Sequence, residues 1–367
     1  MSFYDVYLTL KDIPFRNRFK NITSKDVKHV LKKGRLTIED YLILLSPAAE
    51  NFLEEMAQRA HHLTVQHFGK TMQLYMPLYL SDYCVNVCSY CSFSFTNPFP
   101  RRCLTLEEIQ KEAQVIADMG IKHIILLTGE SRLHSSVEYL KESLTVLKQY
   151  FSSIAIEIQP LDENDYKELV DDGIDGLTVY QEVYNEDIYR EIHKKGPKRN
   201  FRYRLETPER GAEAGMRSLN VGALLGLDDW RKECFLTGAH ASYLQDKYLE
   251  TEVGVSFPRI RPHAGSFQPK DHVTDKNLVQ AILAFRLFLP RAGINLSTRE
   301  TAEFREKLIP LGVTKMSADS STVVGGYSDP HATQSQFEIS DDRSVEEIKV
   351  LLKHKGYQPV IKDWQML

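Results

Sequence analysis

The chain has 367 residues, of which 42% are hydrophobic and 26% are charged, and its formal net charge is −4. This composition is typical of a globular protein, and the length accommodates one large α/β barrel or two smaller domains. The acidic balance excludes a general electrostatic attraction to nucleic acid, and no apolar run approaches the ~20 residues that span a bilayer.

The first 70 residues predict an N-terminal helical extension. Pro47 follows the apolar run 40–46, which indicates that one helix ends there and another begins with proline near its start. Residues 48–68 then carry apolar side chains at helical spacing. The N-terminus has no signal-peptide pattern, and five cysteines are too few for a secreted disulfide framework, so we expect a cytoplasmic location.

Three cysteines lie close together after a first apolar strand at residues 74–80. Cys84, Cys88 and Cys91 have the spacing C-x3-C-x2-C, and Tyr90 directly precedes the last of them. Three thiolates on one loop favour a four-iron cluster with one iron left open by the protein. An open iron of this kind can bind and reductively cleave S-adenosylmethionine.

Two other uses of these cysteines fit less well. A structural zinc site needs four ligands, usually as two pairs or with histidines, and only Cys103 could be a nearby fourth. A disulfide framework is typical of small secreted chains instead. We therefore expect Cys103 and Cys234 to be ordinary reduced thiols.

From about residue 72 the chain alternates between short apolar runs and amphipathic stretches. The alternation predicts a parallel sheet, and eight strands indicate a (β/α)8 TIM-type barrel over residues 71–340. The expected strands are 74–80, 123–128, 154–159, 176–180, 219–225, 253–258, 294–298 and 313–317. The clearest helices between them are 105–119, 136–150, 164–171 and 275–288.

Polar side chains follow six of these strands, where a barrel gathers its chemistry. The cysteine loop follows the first strand and belongs to the same face. The polar strand ends include Glu130, Gln159, Glu182, Arg261, Arg299 and Asp319. Beyond the barrel, residues 341–367 predict a terminal helix at about 344–353 and a tail that packs on the barrel.

Motifs along almost the whole chain resemble one enzyme family. They comprise the segments 44–49, 77–81, 127–130, 159–161, 179–182, 204–208, 256–259, 296–300, 325–327 and 362–364, besides the cysteine loop. The chain resembles the 2-iminoacetate synthases (ThiH), the tyrosine lyases of thiamine biosynthesis in the radical S-adenosylmethionine superfamily. Within that resemblance, residues of about 250–350 are similar to the biotin and thiamin synthesis associated region.

The resemblance implies a [4Fe–4S] cluster and S-adenosyl-L-methionine as cofactors. Their reaction would give methionine and a 5′-deoxyadenosyl radical, which takes a hydrogen from the amino group of L-tyrosine. Cleavage of the Cα–Cβ bond then yields 2-iminoacetate (dehydroglycine) and, after reduction of the other fragment, 4-cresol. The imine passes to a ThiG-like thiazole synthase. Sulfonium cleavage needs the low end of the iron–sulfur potential range, which implies flavodoxin or ferredoxin as reductant.

The same resemblance implies the residues that hold the cofactors. Cys84, Cys88 and Cys91 bind the cluster, and Glu130 accepts from the ammonium group of S-adenosylmethionine. Thr128 departs from the Gly-Gly-Glu pattern common in the superfamily, but the glutamate is kept. The remaining expected cofactor contacts are Tyr90, Glu157, Gln159, Arg204 and Glu206. For the pair Arg204 and Glu206, a structural ion pair is an equal alternative.

For the substrate, the resemblance implies an arginine at the amino-acid carboxylate. A guanidinium binds a carboxylate with two parallel hydrogen bonds, and Arg299 stands at a strand end. We expect Tyr79 and Ser317, on the same face, to hold the amino group.

Of three alternatives, the first and the last below remain open at this point. A tryptophan lyase shares the barrel and the motifs. The tyrosine lyase of hydrogenase assembly has further cysteines in a C-terminal extension, whereas no cysteine follows Cys234 here. The basic segment 193–204, with interleaved aromatics, could serve an RNA-modifying enzyme, but we expect a solvated surface or a docking site for an acidic electron donor, with no nucleic-acid or membrane partner.

Overall fold

Eight parallel strands close into a barrel in the computed structural model, which describes residues 1–329 and 334–362. Counting three strands outside the barrel, the described residues form β1 (Thr71–Ser81), β2 (Val87–Cys88), β3 (His123–Thr128), β4 (Ser153–Glu157), β5 (Gly176–Glu182), β6 (His193–Lys195), β7 (Ser218–Ala223), β8 (Glu252–Ser256), β9 (Gly293–Leu296), β10 (Lys315–Ser317) and β11 (Gln358–Val360). The barrel order is β1-β3-β4-β5-β7-β8-β9-β10, and β10 pairs back with β1. The closing register sets Gln73 against Lys315 and Tyr75 against Ser317. The expected (β/α)8 barrel is confirmed.

Helices surround the barrel and form most of the first 70 residues. They are α1 (Phe3–Leu10), α2 (Phe15–Asn21), α3 (Ser24–Val30), α4 (Ile38–Leu44), α5 (Leu53–Phe68), α6 (Leu106–Asp118), α7 (Val137–Leu147), α8 (Glu163–Asp171), α9 (Glu186–Ile192), α10 (Phe201–Leu205), α11 (Thr207–Glu213), α12 (Trp230–Lys247), α13 (Asp275–Phe288), α14 (Ala302–Leu308) and α15 (Val345–His354). Short 3₁₀ turns occupy Pro47–Phe52, Pro197–Arg199 and Ile309–Leu311.

Capping residues fix where the helices around the barrel begin. Thr105 accepts from the backbone N–H of Glu108, whose carboxylate accepts from the N–H of Thr105 at 2.8 Å. Ser344 and Glu347 repeat this reciprocal pair at the start of α15. Each box satisfies two backbone donors that the first turn of a helix leaves free.

Strand β1 shows how the sequence separates the core from the interior of the barrel. Its even-numbered residues from Met72 to Leu80 are fully buried and pack beneath the helices. Its odd-numbered residues from Gln73 to Tyr79 line a cavity inside the barrel. Successive side chains of a strand point to opposite faces, so one alternating sequence builds both surfaces.

The N-terminal helices cover one side of the barrel. Tyr41 of α4 stacks on Phe288 of α13 with 4.7 Å between the ring centroids. Phe3 of α1 stacks on His240 of α12 at 4.0 Å. In addition, the Gln280 amide donates to the carbonyls of residues 44 and 46, both at 2.9 Å. The extension is thus joined to the barrel by apolar and polar contacts.

Two features were not expected from the sequence. The residues of β11 pair in parallel with the start of β1, so part of the expected tail is a strand. In addition, β2 within the cysteine loop pairs with β6 in the basic segment. Residues 363–367, the end of the expected tail and of the motif at 362–364, lie outside the described residues. No helix in the described part of the chain combines the length and apolarity needed to cross a membrane.

Candidate active site

A cavity of about 830 Å³ occupies the interior of the barrel and reaches the carboxyl ends of its strands. Ten of the twelve site residues expected from the sequence line it: Tyr79, Cys84, Cys88, Tyr90, Cys91, Glu130, Glu157, Arg204, Arg299 and Ser317. Gln159 and Glu206 are not among the lining residues. The cysteine loop and the expected substrate residues therefore share one cavity.

Contacts within the protein fix the course of the cysteine loop. The Arg101 guanidinium donates to the carbonyls of Asp82, Phe93 and Ser94 at 2.7–2.8 Å. The Asn86 amide donates to Glu130 Oε2 at 2.7 Å, and its carbonyl oxygen accepts from the N–H of residue 198 at 2.9 Å. The loop is thereby tied to the ends of neighbouring elements on both sides.

The three thiols on this loop have the chemistry of cluster ligands. Burial raises the pKa of Cys84, Cys88 and Cys91, in the last case to about 11, so incoming iron must displace their protons. Within residues 1–329 and 334–362, no three His, Cys, Asp or Glu side chains are gathered around a point that would suit a single metal ion. Three cysteine thiols on one cavity wall are ligands of the kind that hold iron–sulfur clusters.

Two carboxylates and two cations form a charge network beside the loop. Arg204 Nη1 lies 2.8 Å from Glu130 Oε1, and Lys198 Nζ lies 2.8 Å from Glu182 Oε1. Contacts of 3.7 and 3.8 Å connect the two pairs. Burial alone would raise the pKa of Glu130, but the charges of Arg204 and Lys198 outweigh burial and lower it. Glu130 is therefore ionised at neutral pH, as a partner of an ammonium group must be.

Tyr90 connects the cysteine loop to β6. Its hydroxyl lies 2.8 Å from His193 Nε2, and His193 Nδ1 lies 2.9 Å from the carbonyl of Tyr189. Burial, followed by the charges of Lys198 and Arg204, holds the pKa of His193 well below its usual range. The imidazole is therefore neutral, and it fixes the Tyr90 ring on the cavity wall.

The expected substrate residues lie around another part of the same cavity. Tyr79 is 3% exposed and donates its hydroxyl proton to Gln336 Oε1 at 2.7 Å. The Arg299 guanidinium lies 3.4 Å from the ring centroid of Phe337. Ser317 Oγ accepts from the N–H of Thr298 at 3.1 Å, and its side chain also hydrogen-bonds Tyr75 on the neighbouring strand.

Two expected cofactor contacts point elsewhere. The Glu206 carboxylate accepts from Ser2 Oγ at 2.7 Å and from Arg202 Nε at 3.0 Å, so it holds the N-terminal helix and a surface arginine. Arg204 pairs with Glu130 and not with Glu206, which corrects the alternative of an ion pair between residues 204 and 206. Gln159 is buried and donates to the carbonyl of Ser135 at 3.0 Å.

Three cavity residues were not assigned from the sequence. Lys198 was part of a segment expected at the surface, but its side chain is only 12% exposed and turns inward; Lys194, Lys195 and Arg199 stay exposed. The position of Glu182 at the end of a predicted strand could have marked it as a site residue. A bulge there, with φ 70°, turns its side chain into the cavity. Nothing in the sequence marks Asn86 as a site residue except its position between the cysteines.

Comparisons with known proteins agree with this geometry. Residues 78–250 match the model of the radical SAM superfamily, and residues 256–358 match that of the biotin and thiamin synthesis associated domain. The 2-iminoacetate synthases of Escherichia coli (strain K12) and Salmonella typhimurium are each 43% identical over 99% of this chain and 97% of their own. A crystal structure of HydG, a maturase of the [FeFe]-hydrogenase, superposes with a TM-score of 0.90 at 31% identity over 96% of this chain and 80% of that one.

Proposed function

Because the chain belongs to the 2-iminoacetate synthase family of radical SAM lyases, we propose that it cleaves the Cα–Cβ bond of L-tyrosine. The products are 2-iminoacetate and 4-cresol, formed together with methionine and 5′-deoxyadenosine. The imine supplies the thiazole moiety of thiamine. The observation that carries the proposal is the shared cavity, in which three cysteine thiols and a strand-end arginine face the same space.

The cofactor side of the cavity is assigned to the cysteine loop and the charge network. When bound, the cluster and S-adenosylmethionine supply one-electron cleavage of a sulfonium, which yields a radical able to take a hydrogen atom from the substrate. Cys84, Cys88 and Cys91 would hold the cluster, and the ionised Glu130 would attract the ammonium group of S-adenosylmethionine. The further cofactor contacts are Tyr90, Glu157 and Arg204, all on the cavity wall.

The substrate side is assigned to Arg299, Tyr79 and Ser317. Arg299 would bind the amino-acid carboxylate through two parallel N–H donors. Tyr79 and Ser317 would hold the amino group, the site of hydrogen abstraction. A closed site would keep water away from these charged contacts and from a radical.

The partners follow from the reaction and from the surface beside the cluster. A thiazole synthase would receive the imine. The reductant would be flavodoxin or ferredoxin, since the exposed Lys194 and Lys195 lie in β6, which pairs with the strand containing Cys88. These lysines suit an acidic electron donor, and a cytoplasmic location provides one. RNA modification is disfavoured because Lys198 and Arg204, from the same basic segment, are engaged inside the cavity.

The deciding assay measures 4-cresol released per 5′-deoxyadenosine formed by the reconstituted enzyme. Arg299→Ala should retain the cluster and cleave S-adenosylmethionine slowly without coupling, because the substrate carboxylate loses its partner. We expect 4-cresol formation to fall by at least about 100-fold, as for a buried ionic contact. Arg299→Lys should rescue it only in part, since an ammonium cannot make two parallel bonds.

Arg291→Ala is the matched control for this assay. Arg291 precedes β9, whereas Arg299 follows it, so Arg291 borders the cavity at the amino ends of the strands, away from the cysteine loop, and is exposed. The control should keep the wild-type product ratio. Indole products from tryptophan in place of 4-cresol would replace the tyrosine assignment, and an unaltered ratio in Arg299→Ala would refute the role of that arginine.

A further inference from the structure

A segment that follows the last barrel strand lies over the expected substrate residues. We call residues 334–340 the mouth strap. It is held to the barrel by hydrogen bonds from the N–H of Gln336 to the carbonyl of Thr322 at 3.0 Å and from the N–H of Ser340 to that of Thr298 at 2.8 Å. Gln336 and Phe337 of the strap line the cavity. The strap therefore contributes two side chains to the wall that carries Tyr79 and Arg299.

The contact between Gln336 and Tyr79 sets the polarity of a hydroxyl group. A phenol has one proton to donate and lone pairs to accept with. Burial holds the pKa of Tyr79 well above its usual range, so the hydroxyl keeps its proton at neutral pH. That proton is directed to Gln336 Oε1 at 2.7 Å. The lone pairs of the Tyr79 oxygen then remain for a ligand that donates hydrogen bonds.

The contact between Phe337 and Arg299 sets the orientation of a guanidinium group. The guanidinium carbon lies 3.4 Å from the ring centroid, so the flat face of the cation is covered. The N–H donors of an arginine lie in the plane of the group and point outward from its edge. Covering the face leaves the edge for an acceptor, which is what a carboxylate offers.

We propose that Gln336 and Phe337 are positioning residues that divide recognition of the amino acid between them. Gln336 makes the Tyr79 oxygen an obligate acceptor for the substrate amino group. Phe337 holds the Arg299 guanidinium so that the edge carrying its N–H donors faces the substrate carboxylate. The inference rests on the proposed function for the identity of the ligand and deepens it, because it assigns the two ends of the amino acid to two strap residues.

The test measures ligand binding and not turnover, so its result does not depend on whether the proposed reaction occurs. The reconstituted full-length enzyme with S-adenosylmethionine is titrated anaerobically with L-tyrosine, with tyramine, which lacks the carboxylate, and with 3-(4-hydroxyphenyl)propionate, which lacks the amino group. Gln336→Leu should weaken tyrosine and tyramine by roughly 3- to 10-fold and leave the propionate unchanged. Phe337→Ala should weaken tyrosine and the propionate by roughly 2- to 5-fold and leave tyramine unchanged.

Two further variants exclude a general loosening of the strap. Gln336→Glu keeps an acceptor for the Tyr79 proton and should therefore retain the tyramine affinity that Gln336→Leu loses. Gln334→Leu alters a strap residue that does not line the cavity, and should also match wild type. Parallel titrations with tryptophan, tryptamine and indole-3-propionate provide the same comparison of variants if the wild type binds tryptophan and not tyrosine.

The two substitutions should weaken different ligand analogues, and this contrast tests the proposal. Equal loss of all three ligands in both variants would show a purely structural strap and overturn the proposal. Unchanged binding in both, or a wild type that binds none of the ligands, would overturn it as well. A wild type that binds tyrosine and shows the expected contrast, but releases no 4-cresol, would remove the proposed reaction and leave the positioning roles standing.

Discussion

A single carboxyl group inside the cavity makes the stability of the protein depend on pH. Burial, followed by the charge of Glu182, raises the pKa of Glu157 to about 7, even though Arg299 acts in the opposite direction. In the unfolded chain the same group titrates near its ordinary value of about 4.3. Below that value the group is protonated in both states. Between the two values the folded protein holds a proton that the unfolded chain releases, so stability falls as pH rises to about 7 and then levels off.

Glu157→Gln should remove the contribution of this carboxyl to the pH dependence of stability. Relative to the wild type, the ligand-free variant should gain on the order of 2 kcal/mol at pH 8 and little or nothing at pH 4.5. Urea unfolding of both proteins across this range measures the difference. A gain of equal size at both ends would mean that the carboxyl does not titrate as described.

Among single residues, Lys198 shows what could not be predicted from the sequence, namely the direction of a side chain in a turn. Alternation along β1 predicts that Tyr79 faces the interior, because side-chain direction in a strand has a period of two. Lys198 lies instead in a short 3₁₀ turn at Pro197–Arg199, where no period applies. Its direction depends on Glu182 and Glu130, which are brought near it only by closure of the barrel.

Among the elements, the end of β3 and the cysteine loop are packed in direct backbone contact. A Cβ on Gly129 would lie 2.3 Å from the carbonyl oxygen of Tyr83, the residue before Cys84. The N–H of Gly129 donates to the carbonyl of Ser81 at 2.7 Å, so neither side can withdraw without losing that bond. Glycine is therefore needed here for close approach and not for a left-handed conformation.

Gly129→Ala should displace the cysteine loop. We expect a loss of about 2 kcal/mol of stability, as for overpacking, and a lower iron content after anaerobic reconstitution. Gly34→Ala is the matched control, because no atom lies within 4 Å of its added Cβ, and it should stay within about 0.5 kcal/mol of the wild type with full iron content. Iron analysis and thermal unfolding report the two effects, and full iron loading of Gly129→Ala would contradict the argument.

The elements themselves were predictable to different degrees. Eight apolar runs correctly predicted the eight barrel strands, because a buried strand appears in the sequence as a run of several apolar residues. The pairing of Val87–Cys88 with His193–Lys195 was not predictable. Strands of two or three residues carry no periodicity, and both lie in polar segments.

At the scale of the whole molecule, a buried ion pair joins the C-terminal segment to the barrel. Arg305 and Asp341 form a salt bridge with both side chains at most 1% exposed, and Arg343 adds a second contact to the same carboxylate at 2.7 Å. Arg305 also donates to the carbonyl of Ser317, at the end of β10. The segment from residue 341 onward is thus bonded to the strand that closes the barrel.

Asp341→Ala should destabilise the entire fold. Removal of the carboxylate leaves the Arg305 charge buried and unpaired, at a cost of about 3–5 kcal/mol. The neighbouring Asp342 is exposed, so Asp342→Ala should change stability by no more than about 0.5 kcal/mol. Both are measured by urea unfolding followed by circular dichroism. A loss confined to α15, with the barrel transition unmoved, would show that the segment folds independently.

Arg101 has a consequence for the freedom of the chain around the cysteines. Its guanidinium binds the backbone carbonyl of Asp82 before the three cysteines and those of Phe93 and Ser94 after them, so one side chain bridges the two ends of the cysteine loop. A bridge of this kind reduces the number of conformations open to the residues between its ends. The three thiols are thereby confined to one region of the cavity wall by a contact that involves no cysteine side chain.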